Sequence, residues 1–298
     1  MTSGIGISRR LAIAAAMALV VGCDDGAPSL RAASPTPEPE PTPITTTYDL
    51  GVSVWYEGLV LHVDRVTSTL DARGGPVDVE LRVENPGADT AELQAKIFLR
   101  VDGLPIEPTR ESRVPPIPAE GEVSSRMTYE LQRVTSVDGA AVQVGAGPSH
   151  VAFAPLTAAG GIAVTFEPRV LLLTGTATAG DLRLNLTGGL QRWDLPDWWQ
   201  ELAADRQAIT IQYDATFEGA FPGGFAFTGK NVALRLPDGT DVPPRADGHS
   251  QSVELIGAGK TKRRLFSRFE IPNSVAGEVQ LVVMDGDEEG LIPLVIPG

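Results

Sequence analysis

Polar and apolar residues alternate along several stretches of the chain. Val77, Val79, Leu81 and Val83 alternate with Asp78, Glu80, Arg82 and Glu84; Ile209, Ile211, Tyr213, Ala215 and Phe217 alternate with Thr210, Gln212, Asp214 and Thr216. A side-chain period of two is that of a strand with one buried and one solvated face. Each run is followed by a second apolar strand, 93–101 and 232–236, that leads into an Asp-Gly pair, Asp102-Gly103 and Asp238-Gly239. Asp-Gly after alternating hydrophobics marks a hairpin.

These two regions read as copies of one module. Leu59-Val60-Leu61-His62-Val63 parallels Asp181-Leu182-Arg183-Leu184-Asn185, Met127 to Leu131 parallels Ser267 to Ile271, and Val142-Gln143-Val144 parallels Val279-Gln280-Leu281. The offset between copies is 122 at the first strand and 135 by 99/234, which implies 13 extra residues in the second copy, placed where the first has 68–75. That insertion predicts a short helix near 196–206, with Asp197 as N-cap and Trp198 and Leu202 four apart on one face. Seven or eight short strands per copy with turns between them predict an antiparallel β-sandwich. The residues Val83-Glu84-Asn85-Pro86-Gly87 and 99–103 make the first copy similar to the immunoglobulin-like modules of unknown function that follow bacterial lipoprotein signals and occur in secreted mycobacterial antigens. The resemblance covers 48–157 well and 165–298 more loosely, since 215–219 lacks the Asn-Pro-Gly. It implies two tandem immunoglobulin-like sandwiches in an all-β chain and carries no catalytic residue across.

Composition agrees with that expectation. The 298 residues include 32 Gly and 24 Pro, with 6% aromatic and 21% charged side chains, a loop-rich β signature in a length that suits two domains. The single Cys excludes an internal disulfide and any multi-Cys zinc or iron–sulfur site. A net charge of −14 disfavours nucleic acid as a partner.

The N-terminus reads as an export signal. Arg9-Arg10 precedes an apolar run, 11–21, that is too short to span a bilayer but has the length of a signal-peptide core. It closes in Leu19-Val20-Val21-Gly22-Cys23, which resembles the lipobox of bacterial lipoproteins. The resemblance implies a signal peptide over 1–22, cleavage before Cys23, and acyl chains on Cys23 that anchor the protein to a membrane of the cell envelope. After Cys23, the alternating X-Pro sequence of 34–43 favours extended polyproline II, so 23–47 reads as a disordered Pro-rich tether.

Candidate chemistry is sparse. The three His are His62, on a strand, His150, at a strand start, and His249, in a turn; G-x-S-x-G, H-E-x-x-H and P-loop motifs are absent from the sequence. Nothing in it calls for a cofactor or a metal. The acids of 285–289 lack EF-hand spacing and read as a charged hairpin turn. The sharpest remaining feature is Trp193, Trp198 and Trp199, three of the four tryptophans within seven positions, which are candidates for binding a protein partner or a glycan. The expectation is a non-enzymatic, lipid-anchored binding or scaffolding protein. The alternatives are an envelope hydrolase or metal-dependent enzyme with a site between the domains, and a carrier of small ligands.

Overall fold

The computed structural model describes residues 42–246 and 253–298, so Cys23, the 23–41 part of the tether and His249 lie outside the described residues. The described chain is antiparallel β throughout, with three single 3₁₀ turns, and folds as one compact unit. In its first half, β1 (Ile44–Tyr56), β2 (Leu59–Leu70), β3 (Gly74–Asn85) and β6 (Gly121–Gln132) form one sheet in the order β1-β2-β3-β6. The facing sheet runs β5-β4-β7-β8, from β4 (Ile97–Val101), β5 (Leu104–Ile106), β7 (Ala141–Val144) and β8 (Ala152–Pro155). The inward residues of both sheets make one core, in which Val77, Val79, Leu81 and Val83 are at most 1% exposed. Burying each such side chain contributes roughly 1.5–3 kcal/mol.

The second half repeats this order. Here β10 (Thr176–Ala179), β11 (Leu182–Arg192), β14 (Arg206–Phe217) and β19 (Lys260–Pro272) face the sheet β17-β16-β20-β21, built from β16 (Val232–Arg235), β17 (Asp241–Val242), β20 (Gly277–Asp285) and β21 (Glu288–Ile296), across a second core. The work of β1 is divided: β10 pairs with one end of the outer edge of β11 and β9 (Arg169–Leu171) with the other. Two short ribbons are added, β12 (Asp194–Leu195) with β13 (Gln200–Glu201), and β15 (Phe225–Phe227) with β18 (Glu254–Ile256).

The registers correct the alignment of the copies. Leu61 lies opposite Val83 and Leu184 opposite Ala215, so equivalent residues of β2 and β11 are 123 apart rather than 122. A shift of one exchanges the faces of a strand, and burial agrees: Leu61 and Leu184 are buried while Arg183 is exposed. Both copies also bulge at the same place, Asp64 and Thr187, again 123 apart. In the other sheet Leu99 pairs with Val142 and Leu234 with Leu281, so Val142 corresponds to Leu281 and not to Val279. A slip of two leaves the faces unchanged, and periodicity is blind to it. The offset is 132 at Val77/Ile209, each opposite the aromatic Tyr129 or Phe269, so nine extra residues lie between β11 and β14 rather than 13.

Two boundaries also differ. Residues 44–47, placed in the tether by composition, begin β1, with Ile44 opposite Leu70. Beyond Pro43 the chain regains its backbone donors, and Ile44-Thr45-Thr46-Thr47 is a β-branched run suited to an edge strand. Of 93–101, only Ile97–Val101 is strand.

Tyr129 and Phe269 are 0% exposed at equivalent core positions. Phe269→Ala is expected to lower stability by about 3–5 kcal/mol in urea unfolding, against a change within about 0.5 kcal/mol for the exposed control Thr261→Ala. Equal midpoints for the two variants would contradict the assigned core.

Candidate functional site at the junction of the sandwiches

The hairpin joining β1 to β2 has a two-residue loop, Glu57-Gly58, with φ of 52° and 81°. Such primed turns follow the twist of the strands and favour Gly. The loop projects from the first sandwich into the segment between β11 and β14 of the second. A Cβ on Gly58 would lie 2.6 Å from Pro196 Cα, so only glycine fits. Residues in a two-residue turn have no ladder partner for their N–H groups, and buried N–H groups need one. The second sandwich supplies it: Gly58 N–H donates to Asp194 Oδ2 (2.6 Å) and Glu57 N–H to Glu201 Oε2 (3.2 Å). In turn, Glu57 Oε2 accepts from the N–H groups of Gln94 (3.0 Å) and Ala95 (3.1 Å).

Three carboxylates therefore meet in a largely dry contact. Asp194 is charge-balanced by a bidentate pair with Arg192, Nε to Oδ1 at 2.6 Å and Nη2 to Oδ2 at 3.0 Å. Glu201 has no such cation, is 8% exposed, and its Oε1 is buried without a hydrogen-bond partner. Burial, then the charges of Asp194 and Glu57, push its carboxyl up to about 9, so it is protonated at neutral pH. Burial likewise raises Glu57.

A second set of contacts lies alongside. The loop after β7 pairs with the same inserted segment: Ala204 N–H donates to Pro148 O (2.9 Å) and His150 N–H to Leu202 O (3.3 Å). His150 Nε2 lies 2.7 Å from Arg206 O, and its carbonyl accepts from Tyr56 Oη (2.7 Å). Burial lowers the pKa of His150, which keeps the ring neutral, so Nε2 is the donor to that carbonyl. Phe166 lies between the rings of His150 (4.8 Å) and Trp193 (5.9 Å), tilted to each, and Arg169 lies over Trp193 at 5.5 Å.

The inserted segment is not the expected helix. Asp194↔Glu201 and Leu195↔Gln200 form the two-stranded ribbon β12–β13, closed by a 3₁₀ turn over Pro196–Trp198. Its N-cap is Leu195, Pro196 opens the turn, and the left-handed Trp199 (φ 46°) ends it. Asp197 is no cap; it pairs with Arg268 at 2.6 Å. Leu202 joins Leu195 and Ala208 in a small core of its own. Trp199 packs against the core of the first sandwich, Trp193 is half-buried under Arg169, and Trp198 is 49% exposed at the ribbon turn. Beside the ribbon lies a cleft of about 420 Å³, lined by Gly58, Asn85, Pro86, Arg192, Pro196 and Trp199 among others. None of Glu57, Asp194, Glu201 and His150 lines it.

Elsewhere, His62 lies on β2 with Ser53 Oγ at 2.9 Å and Glu84 at 3.6 Å. The acids of 285–289 form the β20–β21 hairpin, where Asp285 and Glu288 accept from the N–H groups of Asp181 and Gly180. Among the described residues no group of His, Cys, Asp and Glu is arranged to hold a metal ion, and no helix is long and apolar enough to cross a membrane.

No protein-family model and no curated protein matches the chain. Among solved structures it is similar to a conserved domain protein from Bacillus anthracis, at 9% identity over 84% of this chain and 91% of that one, with a TM-score of 0.27.

The buried Glu201 makes stability depend on pH. A raised carboxyl contributes stability that is complete below its unfolded value of 4.5 and is lost as pH rises through about 9. Thermal unfolding of the parent chain should therefore weaken between pH 7 and 9, above the range where His150 titrates, while Glu201→Gln, neutral throughout, should be flatter and more stable at the alkaline end. Parallel pH curves would sink the assignment. Gly58→Ala, which must displace Pro196, is expected to destabilise the junction more than Gly103→Ala, where a Cβ meets nothing within 4 Å; the two glycines share a positive φ, so comparing their melting temperatures isolates the contact.

Proposed function

We propose that this is a lipid-anchored protein of the bacterial cell envelope, in which two tandem immunoglobulin-like sandwiches on a Pro-rich tether act as a non-enzymatic binding or scaffolding module. The lipid anchor rests on Leu19-Val20-Val21-Gly22-Cys23 alone. Strand order supports the immunoglobulin-like part: setting aside the edge strands β1, β9 and β10 and the added ribbon strands β12, β13, β15 and β18, each half places its first, second and fifth strands in one sheet and the other four in the facing sheet, an ABE and C′CFG arrangement.

The observation that carries the binding role is the ribbon at the junction. It is built from residues the second copy has in addition to the first, it is held by hydrogen bonds from both sandwiches, and it presents Trp198 beside a cleft. A half-exposed Trp next to a concavity suits recognition of a protein or a sugar ring. The enzyme reading draws on Glu201, because a strongly perturbed buried acid is a common mark of an active site. It ranks second, since the acids and His150 are turned to backbone groups and away from the cleft.

Two measurements test the proposal. Cys23→Ser should move the protein from the membrane fraction to the soluble fraction of its own cells; retention in the membrane refutes the anchor. Trp198→Ala should remove the partner captured by cross-linking the anchored protein, with melting temperature changed little. Capture undiminished by the substitution refutes the ribbon as the binding element.

A further inference from the structure

The end of the second sandwich away from the junction carries a combination of side chains at odds with the rest of the molecule. In a chain of net charge −14, Lys260, Lys262, Arg263 and Arg264 are consecutive but for one Thr and all exposed at the start of β19. Lys262 pairs with Glu254 at 2.8 Å, and Asp214 accepts the backbone N–H of Arg264 at 3.0 Å. The side chains of Lys260, Arg263 and Arg264 have no carboxylate partner among the described residues. Nearby acids are already engaged: Glu218 with Arg183 at 3.1 Å, and Asp285 and Glu288 with the turn at 180–181.

Large apolar side chains stand exposed beside these cations. Val253 and Leu255, on and just before β18, are each 69% exposed, and Phe221 is 67% exposed. Backbone contacts bring their segments together at this end of the sandwich. The turn that begins at Phe221 is closed by Gly224 N–H on Phe221 O (2.9 Å), and Gly224 backs onto the carbonyl of Ile256 in β18. The tight turn from β18 to β19 is closed by Lys260 N–H on Gly257 O (3.0 Å).

We propose that this end of the second sandwich is a docking surface for an anionic lipid bilayer, with Phe221, Val253 and Leu255 entering the headgroup boundary and the cations of 260–264 meeting lipid phosphates. Clustered cations alone fit any polyanion. Exposed aliphatic tips gain nothing from a polysaccharide or a nucleic acid, whereas a bilayer interface rewards both features together. The net charge of the chain does not override the local set, because at physiological ionic strength charges beyond about 8 Å are largely screened. This surface is independent of Cys23 and of the ribbon.

The test uses the chain from residue 24 onward, which contains the whole compact unit and neither Cys23 nor the apolar run at 11–21. It is floated with vesicles of phosphatidylcholine alone or of phosphatidylcholine with anionic phosphatidylglycerol. Binding is expected only to the anionic vesicles and should fall as NaCl is raised. Arg263→Gln with Arg264→Gln should weaken it about thirtyfold, roughly fivefold for each cation removed. Phe221→Ser with Leu255→Ser should weaken it as well, and circular dichroism confirms that both variants are folded. Equal binding to the two vesicle types, or none to either, overturns the proposal. Loss of binding in the arginine variant but not in the apolar one also overturns it, and points to a soluble polyanion.

Discussion

The centre of this molecule is governed by the need to satisfy two N–H groups. Glu57 and Gly58 turn the β1–β2 hairpin inside the contact between the sandwiches, where both are buried and no ladder partner exists. An unpaired buried N–H costs about 1–3 kcal/mol, so the facing segment must bring acceptors. It brings carboxylates, and these carry their own desolvation cost. For Asp194 the bidentate Arg192 offsets that cost. Glu201 has no paired cation among the described residues, the Arg192 charge being outweighed by burial and by Asp194, and protonation removes its charge instead. Glu57 then turns its own carboxylate back to the backbone of residues 94 and 95.

The arrangement makes the contact specific. Glycine is required at 58 by the approach of Pro196, an acid at 194 by the Gly58 N–H, and a short ribbon rather than a helix at 194–201 because both acids must reach the same turn. A helix through this segment would place residues 194 and 201 two turns apart along its axis, about 10 Å at 1.5 Å per residue. Pairing them across a ribbon puts them side by side. The tilted aromatic cluster of His150, Phe166 and Trp193 and the pairing of 148–150 with 202–204 fill space beside it. The two sandwiches consequently form one compact unit, with Trp198 exposed at the ribbon turn.

The two halves show which features of a sandwich tolerate divergence. Strand order and the first bulge persist, since moving either would turn core residues to solvent. The outer edge strand is continuous as β1 in one copy and divided into β9 and β10 in the other, because covering an edge requires paired backbone but not an unbroken strand. The nine additional residues fall in a connection at one end, where insertions disturb no ladder, and that is the segment that meets the other sandwich.

Alternation in 77–84 and 209–217 was enough to determine all-β structure, the buried faces and the hairpins at Asp102-Gly103 and Asp238-Gly239, because burial on one face of a strand is a local property with a period of two. The same period hid the slip of two between Val142 and Leu281. The basic run at 260–264 was also visible in the sequence, but not its exposed apolar neighbours, since Phe221 and Leu255 are indistinguishable from core residues by type. The junction was legible least of all. Glu57-Gly58 could be suspected as a hairpin loop, yet that its partners are Asp194 and Glu201, more than 130 positions away, depends on how the two cores meet. Composition determined the solvated faces, and only tertiary structure decided which charged residues were exceptions, because a carboxylate's cost or benefit when buried is set by the donors around it and not by its neighbours in sequence.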